Sequence, residues 1–238
     1  MQVTLTIIRY PKRFIYFALL AMAVHRLPLW RNRNISFYKL MGSGKNGTFD
    51  IHPDWQQWAI FAIHRQLPGT LTTAEVIPVL YGRFINKWLS FFNCETWSIF
   101  LQPIEGHGCW DGKQPFGNLQ KNTAYDGPVA ILTRATIRLS KLKPFWANVN
   151  GVAVQMATAK GLIASLGIGE VPFIKQATFS IWQNKEAMKQ FAYQMHQHTD
   201  VIKKTRKENW YSEDMFVRFI PLQTFGSIKG SDPLQGKL

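Results

Sequence analysis

The chain has 238 residues, 46% of them hydrophobic and 14% aromatic, with 28 Lys and Arg against 14 Asp and Glu. That length supports a sizeable core without covalent staples, and two cysteines outside any C-x-x-C pattern argue against a disulfide framework or a zinc site and fit a reducing cytoplasm. A formal net charge of +14 and a sequence pI near 9.9 direct the surface toward acidic partners, namely nucleic acid, anionic lipid or an acidic protein.

In chain order, an apolar strand is expected over 3–9, then a helix over 14–24. Its eleven apolar residues follow Lys12-Arg13 like a leader peptide, but they are too few to span a bilayer, and cleavage would remove the first strand. The basic flanks suit a helix resting on a membrane surface. Gly42-Ser43-Gly44 lacks the third glycine of a dinucleotide fingerprint and reads as a turn, with a further strand near 48–51. A strand over 58–64, a helix over 73–89 and a strand over 97–103 complete the first half.

The second half repeats the order: a strand over 129–134, a helix over 144–165 with a break near Gly151, the Gly167-Ile168-Gly169 turn, a strand near 171–174, another over 176–182, a helix over 185–206 and a strand over 215–221. Residues 97–116 align without a gap on 215–234, pairing Pro103 with Pro221 and Gly108 with Gly226, an offset of 118 (221 less 103). Upstream, Gly42 matches Gly167 at an offset of 125 (167 less 42), which places a seven-residue insertion (125 less 118) in the first copy. A duplicated β-α-β-β-α-β order predicts an α+β fold of tandem ferredoxin-like repeats, a dimeric-α/β-barrel-type architecture within one chain. The boundaries expected are 1–116 for the first repeat, 117–127 for a linker and 128–238 for the second repeat.

Among the six histidines, His198 continues the apolar stripe Met188, Phe191, Ala192, Met195 and Ile202 and is expected to face inward, whereas His196 faces outward. Periodicity alone leaves open whether His198 is a hydrogen-bonded core residue or an iron ligand. There is no G-x-S-x-G elbow, H-E-x-x-H or P-loop. Met215–Phe219 (MFVRF) lacks the K/R-G-F/Y start of an RNA-binding strand, so the basic charge has no accompanying stacking motif and nucleic acid is not the expected partner.

The strings AILTRATIR (Ala130–Arg138), GIGEVPFIKQATFSIW (Gly167–Trp182), FYKLMGSG (Phe37–Gly44) and the stretch 188–219, with His198 and Glu208-Asn209-Trp210, resemble the spheroidene monooxygenase family of carotenoid biosynthesis. The resemblance covers nearly the whole chain and is most specific in its second half. It implies a haem-dependent monooxygenase that uses dioxygen and reduced ferredoxin to oxygenate C2 of an acyclic carotenoid end, first to a hydroxyl and then to a ketone. It also implies His198 as the axial haem ligand in the second repeat, Arg134 and Arg138 as partners of the haem propionates, and Trp146, Trp182 and Trp210 as walls of the polyene channel. The basic surface would then serve ferredoxin docking or peripheral association with the inner face of the cytoplasmic membrane. The competing expectation is a non-enzymatic α+β barrel that binds haem or another apolar ligand.

Overall fold

The computed structural model describes residues 1–45, 50–198 and 208–237, with the backbone only at 150, 152, 153 and 194–198. Its elements run β1 (Gln2–Arg9), α1 (Ile15–Val24), α2 (Arg26–Arg31), β2 (Ile35–Gly44), β3 (Pro53–His64), α3 (Thr73–Tyr81), α4 (Arg83–Phe91) and β4 (Glu95–Gly108). Then follow β5 (Val129–Ile137), α5 (Leu142–Ala157), β6 (Leu162–Val171), β7 (Lys175–Trp182), α6 (Lys185–His198) and β8 (Tyr211–Gly226). Antiparallel pairing gives the strand order β3-β1-β4 in the first half and β6-β7-β5-β8 in the second.

Burial explains the strand positions. β1 is buried from Val3 to Ile8 on both faces, so it needs neighbours on both edges. It pairs antiparallel with β3, Val3 opposite Ile63, and with β4, Val3 opposite Leu101. β5 is placed likewise, between β7 (Leu132 opposite Phe179) and β8 (Leu132 opposite Val217).

Chain contacts divide the residues into two units. One holds 1–43, 54–102 and 221–238, and the other holds 44–53 and 103–220. Two of the four boundaries fall at Pro103 in β4 and Pro221 in β8, the two prolines paired by the repeat. In the first unit, α1 to α4 close over one face of the sheet, with Ile8, Tyr10, Leu29, Ile60, Leu80 and Ile85 in the core between them. In the second, Ile137, Phe145, Val149 and Trp210 form one buried cluster and Val129, Ile131 and Trp182 another.

Three local expectations are corrected. The helix expected over 73–89 is two helices, because Gly82 takes φ +89°, outside the helical basin, and Asn86 N–H donates to the Gly82 carbonyl as α4 starts. Both Gly-x-Gly segments are strand rather than turn, within β2 and β6, where Gly169 lies so close to Lys175 of β7 that a Cβ would stand 3.0 Å from its carbonyl oxygen. They supply the second strand of each half; of the strands expected near 48–51 and 171–174, the first lies partly outside the described residues and the second is the end of β6 and the turn into β7. The third correction is α5, which runs through Gly151 and ends at Ala157. Gly161, at φ +78°, then turns the chain into β6.

Candidate functional site

The repeated residues build the same device in each unit. In the second unit β4 ends at Gly108, with φ +92°, against the backbone of Asp214, and Cys109 N–H donates to the Asp214 carbonyl at 3.0 Å. The turn that follows aims the N–H groups of Asp111 (2.9 Å) and Gly112 (2.6 Å) at the carboxylate of Glu213. In the first unit Gly226, with φ +79°, lies against Thr96, Ser227 N–H donates to Thr96 at 3.0 Å, and the N–H groups of Lys229 (2.8 Å) and Gly230 (2.7 Å) cradle Glu95. Such concave turns are anion-binding by geometry, and here each holds a carboxylate of its own unit. Burial alone would raise the Glu213 carboxyl, but the Gly112 and Asp111 N–H groups and the Arg134 guanidinium outweigh it and hold it below the usual carboxylate range.

Arg134, on β5 and 1% exposed, belongs to this device. Its Nη1 donates to Glu213 and its Nη2 to Asp111 Oδ1 at 3.1 Å, while Glu170 stands 3.9 Å from Nε. Lys175 also donates to Asp111 Oδ1 at 2.7 Å, and Trp110 Nε1 donates to Glu170 at 2.6 Å. Carboxylates therefore take up the guanidinium. A second buried ion group was not foreseen from the sequence: Glu105, 4% exposed, accepts from Arg218 Nη1, Lys185 Nζ (2.9 Å) and Thr123 N–H (2.7 Å). Arg218 Nε has no hydrogen-bond partner among the described residues, and burial pushes the guanidinium below its ordinary value. Arg218 also lies over the Phe216 ring at 5.6 Å, and the His107 ring stacks with the same ring at 5.7 Å.

The two units differ on the sheet face that meets the helices. In the first, Thr4 Oγ1 lies 2.9 Å from His64 Nε2, and Thr6 Oγ1 lies 2.8 Å from Tyr81 and 2.7 Å from Ser98, all five residues buried. At the repeat offsets Thr4, Thr6, His64 and Ser98 correspond to Val129, Ile131, Trp182 and Phe216, so this layer is apolar in the second unit. There it packs against Met156 of α5 and Met188 and Phe191 of α6, with the Trp182 and Phe191 rings 5.2 Å apart. The signal that could have found this contrast was present in the aligned repeats, read one face at a time.

The other residues named from the sequence fall as follows. Trp182 lies in this apolar layer and its Nε1 donates to Ser180 at 2.9 Å. Trp146 and Trp210 belong to the separate cluster around Phe145, where Trp146 Nε1 donates to the Phe173 carbonyl and Trp210 Nε1 to Glu208. The structure thus brings two of the three tryptophans together and not the third. Arg138 is exposed, directly after β5. His198 is the last described residue of α6, the rest of the helix expected to 206 lies outside the described residues, and so do the side chains of His198 and His196. A cavity of about 260 Å³ opens between Met215 and Val217 of β8, the Gly106-His107-Gly108 end of β4 and the 114–121 loop. It is smaller than the roughly 300–1,000 Å³ typical of ligand pockets and does not account for a polyene.

A haem would require an imidazole ligand and cations for two propionates. Arg134 is enclosed by carboxylates, Arg138 is exposed, and the His198 side chain lies outside the described residues.

No family model matches the chain. Among solved structures, an aldoxime dehydratase crystallised with butyraldoxime matches 98% of this chain and 84% of its own with a TM-score of 0.60 at 8% identity, a likeness of fold alone. Among curated proteins, the spheroidene monooxygenase of Cereibacter sphaeroides is 34% identical over 90% of this chain, which spans 62% of that protein's length. The spheroidene monooxygenase of Rhodobacter capsulatus is 35% identical over 91% of this chain and 88% of its own length. Identity at that level, sustained over most of both chains and across both units, places this chain in the spheroidene monooxygenase family.

Proposed function

We propose that the chain is a haem-containing, ferredoxin-dependent monooxygenase that oxygenates C2 of an acyclic carotenoid end. The observation that carries the reading is the relationship to the two spheroidene monooxygenases, one of them related over 88% of its length. The whole activity is part of the proposal, because the chain spans only 62% of the other relative. In each oxygenation one dioxygen, two electrons and two protons convert a C–H bond into C–OH and one water. A second turn at the same carbon, followed by loss of water, yields the ketone. Dioxygen activation is the chemistry that haem would supply when bound, with reduced ferredoxin as the electron source.

The residues of the chain divide the remaining work. We read the two runs of β-α-β-β-α-β as tandem ferredoxin-like repeats, 1–116 and 128–238 joined by 117–127, the second of them functional. The duplicated carboxylate-holding turns support that reading. The apolar layer of Val129, Ile131, Trp182 and Phe191 excludes water and suits a hydrocarbon chain, whereas the corresponding layer of the first unit is filled by Thr4, Thr6, His64, Tyr81 and Ser98 hydrogen-bonded to one another. Trp146 and Trp210, in their separate cluster around Phe145, line another stretch of the polyene channel, His198 on α6 supplies the axial imidazole, and the exposed Arg138 pairs a propionate. Arg134, named with it, contributes by holding the turn at 108–113.

Haemin titration of the purified chain tests the cofactor. A saturating Soret band near one haem per chain supports the proposal, and no band, or two haems per chain, refutes it. An oxygenated carotenoid formed without haem would place the activity elsewhere.

A further inference from the structure

We infer that the helical face of the first unit is a docking surface for an anionic lipid membrane. This part of the chain leaves large apolar side chains in water: Tyr16 (83% exposed), Phe17, Leu19 and Leu20 on α1, Leu27 and Trp30 (73%) on α2, and Phe84 and Phe91 (77%) on α4. Scattered exposed hydrophobics need no explanation, but these stand on three neighbouring elements of one unit, and Phe17, Phe84 and Phe91 are joined by ring contacts. Phe17 stacks on Phe92 at 4.7 Å, Phe92 meets Phe91 and Trp88 at 5.0 Å, and the His25 ring, buried where α1 gives way to α2, meets Trp88 and Phe84 edge-on.

Helix α1 shows why the face is left uncovered. Its ten residues are all apolar, yet only Ala18 and Ala21 are buried. At 100° per residue, Tyr16, Phe17, Leu19 and Leu20 spread over roughly half the circumference on the opposite side. Such a helix lies in the boundary between headgroups and acyl chains, and no described helix is long and apolar enough to cross a membrane.

Charge selects the occupant. Residues 12–33 and 83–91 carry Lys12, Arg13, Arg26, Arg31, Arg33, Arg83 and Lys87 and no Asp or Glu. All seven are exposed. Cations flank the apolar centre of α1 on both sides, Lys12 and Arg13 before it and Arg26 after it, which is the pattern of an interfacial helix on an anionic leaflet. The exposed Tyr16 and Trp30 are residue types that favour the headgroup level. A second copy of the chain would set these cations against their own kind and is disfavoured for that reason.

The inference does not depend on the oxygenase reading, although a membrane-dissolved substrate would give the surface a purpose. Flotation with phosphatidylglycerol-containing vesicles, and with pure phosphatidylcholine vesicles as comparison, tests it. The full chain is expected to float with the anionic vesicles at low salt and to fall away by about 0.5 M salt. The variant Tyr16→Ser, Trp30→Ser, Phe91→Ser should lose at least tenfold in partition while keeping its melting temperature, since all three side chains already lie in water. Charge reversal at Lys12 and Arg31 should cost about fivefold for each cation lost. Failure of the full chain to float, equal binding to both vesicle types, or undiminished binding by the variants would overturn the inference. So would a dimer, seen by light scattering, that the same variants dissociate. Turnover of detergent-dispersed carotenoid, retained in the variants while flotation is lost, separates this surface from the oxygenase proposal.

Discussion

Two buried histidines give the clearest single-residue consequence. Burial lowers both His25 and His64 from about 6.5 to about 4. The native state holds each ring neutral while the unfolded chain takes up a proton near 6.5, so stability is full above that pH, falls as the pH drops, and levels off below about 4. Each ring accounts for on the order of 3 kcal/mol over that window. Denaturant midpoints measured from pH 8 to pH 4 should therefore drop, and His64→Gln should flatten the slope; an unchanged slope would mean that the His64 ring is not held neutral. On α6, His198→Ala is expected to lose haem far more completely than His196→Ala, followed by Soret absorbance, because the two positions point to different sides of one helix. Equal retention would move the ligand elsewhere. The Glu105 group shows why side-chain chemistry is harder to read than periodicity: residues 105, 123, 185 and 218 come from β4, the connection after it, the start of α6 and β8, and only the tertiary fold brings them together.

Among the elements, the repeated turn is the most exposed to test. Gly108→Ala places a methyl group against the Asp214 carbonyl at a backbone angle that disfavours any side chain, and Gly226→Ala does the same at Thr96. Each should cost on the order of 2–3 kcal/mol in chemical denaturation. Gly230→Ala, which meets nothing within 4 Å, should cost only the roughly 1 kcal/mol of its left-handed conformation. Equal losses at all three would show that close approach is irrelevant. The pairing of Gly108 with Gly226 was legible from the offset of 118, and so was the order of strands and helices. Element ends were less so: one apolar pattern runs across α3 and α4, and only the backbone angle at Gly82 separates them. A Gly-x-Gly string carries no mark distinguishing a turn from a strand in which a neighbour passes close by.

For the whole molecule, β1 is the strand on which the first unit depends, since β3 and β4 both pair with it. Deleting residues 1–24 should therefore abolish cooperative folding, checked by circular dichroism and melting, and a soluble truncation that still binds haem would contradict the assignment. The composition pointed to acidic partners without choosing among them; the choice came from where seven cations stand around an apolar face. Family membership was legible in the strings at 130–138 and 167–182, whereas the contrast between a polar and an apolar layer, present in the aligned repeats, needed the structure to show that those positions share the face that meets the helices. The central claim, that this chain inserts oxygen into a carotenoid, is tested most directly with isotopically labelled dioxygen, haemin, a reduced ferredoxin system and an acyclic carotenoid such as spheroidene. The account predicts one labelled oxygen at C2 of the product. Unlabelled product, cleavage to shorter aldehydes, or no reaction despite full haem loading would contradict it.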